Sequence, residues 1–146
     1  MTSSIHLQSA LSSHKTFGGC YHLNSLPCVT QLPKSYIILI DNSHWISLVL
    51  PRKKQCCYYF DSFGEGVKSQ VLVDFLRKLS YKKIVYNQIQ IQHNNSEQCG
   101  WFCFLFLMSV QTSKKEFRRF INIFDHVNLL LNDFILEDEV CNKYFT

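Results

Sequence analysis

A chain of 146 residues, 47% of them hydrophobic, is long enough to bury one core, so a single domain covering residues 1–146 is expected. The net charge of +4 is spread over several segments mixed with Asp and Glu, which tolerates a polyanion without specifying a nucleic-acid-binding module. Seven cysteines, an odd number that includes the adjacent Cys56 and Cys57, exclude an ordinary secreted disulfide framework and point to a reducing intracellular compartment.

Residues 1–15 are Ser-rich and lack the basic and apolar regions of a secretory signal; residues 1–16 read as a loose N-terminal arm or a short helix. In 17–27, apolar Phe17, Tyr21, Leu23 and Leu26 alternate with glycine, asparagine and proline, the pattern of a compact loop entering the domain. Residues 36–40 and 45–50 are β-branched and aromatic runs separated by Asp41-Asn42-Ser43, and 55–60 makes a third run, so a three-stranded meander is expected.

After the turn at 61–66, Val67, Val71, Leu72, Phe75, Leu76 and Leu79 recur at helical spacing. Residues 84–92 alternate in their second half, as a half-buried strand should, and end in the polar loop 93–98. Residues 99–110 are apolar all round and free of proline, which predicts a helix buried on most sides. The run is about half the length that crosses a bilayer, so no membrane association is expected. Residues 114–124 and 127–136 read as two further helices.

Three positions stand where an element ends: His44, Asp61 and Cys99. A thiol becomes a nucleophile when ionised, and a helix N-terminus favours the thiolate, which is where Cys99 is placed. Gly100 lets a substrate backbone approach the sulfur. His44, at the entrance to a strand, suits a general base, and Asp61, at the exit of the next, suits the group that fixes its tautomer. Gln92, upstream of Cys99, offers a side-chain amide to a developing oxyanion, with the Cys99 N–H as a second donor. Taken singly, each position also has an ordinary reading as a packed thiol, a strand histidine or a turn aspartate.

Together the residues form an ordered set: His44-Trp45, then Tyr59-Phe60-Asp61-Ser62-Phe63-Gly64, then Gln92 through Cys99-Gly100-Trp101-Phe102-Cys103. This set resembles the adenovirus-type maturation proteases, the adenain group, which share a core with the ubiquitin-like-protein-specific cysteine proteases. The resemblance covers roughly residues 17–108 and implies an α+β fold with a papain-like core in rearranged chain order: a small, mostly antiparallel sheet packed on a central buried helix that bears the nucleophile. It implies His44 as base, Asp61 as its orienter, Cys99 as nucleophile and Gln92 in the oxyanion hole. The stretch 17–27 looks like the segment before the first strand in the viral members.

The implied activity is a cysteine endopeptidase that cleaves viral structural precursors during virion maturation, as a monomer in the host nucleus and the virion, with protein substrates as partners. A deconjugase of ubiquitin-like modifiers and a silent, protease-derived binding module are the alternatives. Ser43 stands where many relatives have glycine, and His93-Asn94 replaces a small residue and proline, which alters the substrate channel. No cofactor or metal is required. The human adenoviral members take a viral peptide through a disulfide near the strand before the glutamine, where this chain has Ser80, Tyr81 and Lys82, so activation by a viral peptide or by DNA would take another form. DNA use by such relatives singles out Lys114, Lys115, Arg118 and Arg119, which otherwise read as a solvated helix face. His93 is a rival base close in sequence to Cys99. Cys103, one helical turn after Cys99, shares its face and reads as packing.

Overall fold

The computed structural model describes residues 2–41 and 43–144, the side chains of 143 and 144 excepted. Met1 and Asn42, which the sequence places in the N-terminal arm and in the turn between two strands, lie outside the described residues. The elements run α1 (Ser4–Ala10), β1 (Phe17–His22), β2 (Lys34–Ile40), β3 (His44–Leu50), β4 (Cys56–Phe60), α2 (Gln70–Lys78), β5 (Lys83–Tyr86), α3 (Cys99–Ser109), α4 (Lys114–Ile121) and α5 (Asn132–Tyr144), with short 3₁₀ turns at Leu23–Ser25 and Leu129–Leu131.

The fold is α+β, with one five-stranded sheet in the order β1-β2-β3-β4-β5. Strands β2, β3 and β4 form the expected antiparallel meander, and the two edge strands run parallel to their neighbours. β3 reads as a continuous apolar strand because both of its faces are covered. Trp45 and Val49 pack on the side of α3 and α4, while Ile46, Leu48 and Leu50 pack with Leu72 and Leu76 of α2. α3 lies in the first of these cores with Phe102, Cys103, Phe104, Leu105, Phe106 and Leu107 all buried, which explains an apolar run with no polar face. Phe106 stacks on Phe60 of β4 at 4.8 Å between ring centroids and meets Phe117 and Phe120 of α4 edge-on.

Several expectations change. The stretch expected to be a compact loop contains strand β1, because Gly18-Gly19 makes a bulge within a strand: the register against β2 shifts between Phe17 and Cys20, and Gly19 has a positive φ. Of the two readings of the N-terminal arm the short helix holds: it is capped by Ser3 and packed, with Leu7 and Leu11 fully buried against the α3 core. The strand expected over 84–92 ends at Tyr86, since alternation marks an extended chain, whereas a strand also needs a partner, and β4 has ended at Phe60. The helix over 67–79 starts only at Gln70, where the Ser69 hydroxyl accepts the Leu72 N–H. The helix over 114–124 ends at Ile121 and opens with a Ser113/Glu116 capping box. The helix over 127–136 is a 3₁₀ turn followed by α5, and Val127, Leu130 and Phe134 point outward. Among the described residues, no helix is long and apolar enough to cross a membrane.

Candidate active site

The antiparallel register that pairs Ser47 with Phe60 puts the start of β3 beside the end of β4. His44 and Asp61 therefore meet: Nε2 of His44 lies 2.6 Å from Oδ1 of Asp61, with the carboxylate almost wholly buried and the imidazole only slightly exposed. The same Oδ1 accepts the Phe63 N–H at 2.8 Å, and the Phe63 ring stacks on the imidazole at 4.6 Å. The imidazole also hydrogen-bonds the Cys99 side chain.

Cys99 is the first residue of α3, so its own N–H lies among the unpaired donors of the helix start. Burial by itself pushes the Cys99 thiol up, but the hydrogen bond and charge of His44, and the backbone N–H groups of Trp45 and Gly100, outweigh it and hold the thiol below the ordinary range. Burial likewise pulls His44 down, yet Asp61 and Cys99 raise it to about 9. Both shifts favour a thiolate beside an imidazolium. The other buried thiols go the opposite way: burial raises Cys57 to about 12 and Cys103 well above its usual range. This contrast sets Cys99 apart from the packed thiols.

Gln92 is buried, and its amide is anchored at both ends. Oε1 accepts the Ser62 hydroxyl, and Nε2 donates to the Ser96 carbonyl at 2.8 Å. One amide N–H remains for another acceptor. His93 does not join the cluster; its Nδ1 accepts the Asn95 N–H at 3.1 Å. Lys114, Lys115, Arg118 and Arg119 are all exposed on α4.

Sequence reasoning missed three supporting residues. Asn87 is buried and accepts the Asp61 N–H at 3.1 Å while donating to the Asp61 carbonyl at 2.6 Å, so it takes the place of a sheet partner where β4 ends. Asn132, fully buried at the start of α5, donates to the Ile91 and Asp125 carbonyls, each at 2.7 Å, and ties α5 to the segment before Gln92. Ser96 donates to Asp133 at 2.8 Å and accepts the Gln98 N–H next to Cys99. A lone Asn after an apolar run is the sole signal for Asn87, and it reads equally as a loop residue.

Among the described residues, no group of three or more His, Cys, Asp or Glu side chains is arranged to hold a metal ion. The sequence matches no family model and no curated protein. Among solved structures, the chain is similar to the ASFV pS273R protease, with 14% identity over 80% of this chain and 62% of that one and a TM-score of 0.48. It is also similar to the SUMO protease Ulp1 with its catalytic cysteine oxidised to a sulfonic acid, with 17% identity over 72% and 53% of the two chains and a TM-score of 0.40. The sulfinic acid form of Ulp1 gives 20% identity over 73% and 53%, with a TM-score of 0.40. The chain thus spans between half and two thirds of the length of these proteins.

Proposed function

We propose that this chain is a cysteine endopeptidase with Cys99 as nucleophile, His44 as acid and base, and Asp61 as the group that orients and charges the imidazole. The observation that carries the reading is the chain of contacts from the buried Asp61 carboxylate, 2.6 Å from His44 Nε2, through the imidazole to a thiol held below its usual pKa. The Cys99 thiolate attacks the scissile carbonyl and forms a thioester as His44 gives its proton to the leaving amine. His44 then takes a proton from water, which attacks the thioester and releases Cys99. The free N–H of Gln92 and the N–H of Cys99 are the donors assigned to the oxyanion.

The resemblance of the His44-Trp45, Asp61-Ser62-Phe63-Gly64 and Gln92 to Cys99-Gly100 pattern to the viral maturation proteases is what supports viral structural precursors as substrates and, with them, action as a monomer in the host nucleus and the virion. Activation by DNA or by a viral peptide belongs to the same reading. Incubation with a peptide aldehyde directed at active-site thiols tests the activity. Modification at Cys99, and loss of peptide cleavage in Cys99→Ala with an unchanged melting temperature, is the expected result. Turnover above a few per cent of the parent in that variant would place the nucleophile elsewhere. Release of ubiquitin-like modifiers in preference to precursor peptides would make it a deconjugase.

A further inference from the structure

Trp45 follows His44 on β3, at a point where the sheet runs out. The β3–β4 ladder stops at Ser47 and Phe60, so the backbone of Trp45 on that side has no strand opposite it, although the residue is buried. Buried backbone groups need partners, and α3 supplies them through two cysteines one turn apart. The Trp45 N–H donates to the Cys99 sulfur, and the Trp45 carbonyl accepts the Cys103 thiol at 3.3 Å. Trp45 is held at a third point by its indole, whose Nε1 donates to the Thr2 carbonyl at 2.8 Å.

Cys103 is fully buried, and burial keeps it protonated, so it acts as a donor and takes no part in the chemistry. It lies on the face of α3 that carries Cys99, and the residue it grips is covalently next to His44. Helix and strand are thereby laced together immediately beside the Cys99–His44 contact.

We propose that Cys103 is a positioning residue, whose thiol caps the Trp45 carbonyl and so holds the His44 end of β3 in register with the Cys99 end of α3. The inference rests on Cys99 being the nucleophile and adds a reason for a second cysteine one turn along the same helix. Without the cap, the Trp45 carbonyl is buried and unpaired, and the strand end relaxes away from α3. The Trp45 N–H and the imidazole then stabilise the Cys99 thiolate less well.

The test is the pH dependence of iodoacetamide alkylation, read by mass spectrometry on the Cys99 peptide, in the parent protein, Cys103→Ser, Cys103→Ala and Cys103→Val. Valine fills the space without donating, so it separates packing from hydrogen bonding. Cys103→Ala and Cys103→Val should move the alkylation curve upward by about one pH unit, a roughly tenfold loss of thiolate on the acid side. Cys103→Ser, which keeps a donor, should restore the curve. Coincident curves in all four proteins, with only melting temperatures differing, would reduce Cys103 to packing and overturn the proposal. An ordinary thiol titration of Cys99 in the parent protein would instead refute its role as nucleophile, and the positioning role with it.

Discussion

Ser62 and Gln92 are joined twice: the Gln92 N–H donates to the Ser62 carbonyl at 2.9 Å, and the Ser62 hydroxyl donates to Oε1 of Gln92. The second bond decides which way the amide faces, since an oxygen that accepts from Ser62 leaves the nitrogen for the Ser96 carbonyl, with one N–H to spare. Gln92→Ala should lower kcat by about 10²-fold with little change in KM, as expected for a donor used only in the transition state. Ser62→Ala should give a smaller loss of the same kind, because it frees the amide to turn without removing it. Steady-state kinetics on a cleaved peptide separates the cases. A rise in KM alone would assign Gln92 to substrate binding.

Gly64 and Gly66 both have a positive φ in the turn after Asp61, yet they should respond differently to alanine. A Cβ on Gly64 would stand 2.7 Å from the backbone of Ile89 and Gln90, which cannot give way without displacing the segment that leads to Gln92. On Gly66 it would meet the side chain of Tyr86 at 3.2 Å, and that ring is partly exposed. Gly64→Ala should therefore cost about 3 kcal/mol and Gly66→Ala about 1 kcal/mol in denaturant unfolding. Equal losses would mean that backbone strain alone governs both.

The nearness of His44 and Asp61 was legible because a meander of short strands places them side by side, whereas the arrival of Cys99 beside them follows from the packing of α3 on the sheet and was not. The sequence marked Gln92 as a polar residue ahead of Cys99, but the two bonds that orient it come from Ser62 and Ser96, whose neighbours in space are set only by the whole fold. The same holds for Asn87 and Asn132, polar residues in loop-like surroundings that turn out buried and bonded to distant backbone. A continuous apolar run found α3 and amphipathic periodicity found α4, each with small errors at its end. Periodicity failed for 87–92, where alternating residues follow a bent segment outside the sheet, and for β1, where paired glycines resemble a turn.

The four cations of α4 give a salt-dependent test. If Lys114, Lys115, Arg118 and Arg119 contact DNA phosphates, affinity should fall linearly in log–log form with salt, and neutralising all four should flatten the slope by about 0.9 for each phosphate that no longer meets a cation. Glutamine is the suitable replacement, since it keeps the helix. Fluorescence anisotropy with duplex DNA at several salt concentrations reads the slope. An unchanged slope would make the face ordinary solvated surface.

Asp61 can be tested by a change that keeps its shape. Asn at this position retains an oxygen for the Phe63 N–H and the His44 Nε2, so the turn and the imidazole orientation persist, but the negative charge is lost. That charge helps raise His44 to about 9, and His44 in turn holds Cys99 below the ordinary thiol range. The thiolate–imidazolium pair therefore exists between the depressed Cys99 pKa and about 9; below that window the thiol is protonated, and above it His44 has no proton for the leaving amine. In Asp61→Asn the acid limb of the activity profile should move up and the alkaline limb down, narrowing the window from both sides. The midpoint of Cys99 alkylation should rise with the acid limb. Measured together with the melting temperature as a control for folding, coincident profiles in the two proteins would show that Asp61 serves only the turn and would leave Cys99 and His44 as a dyad.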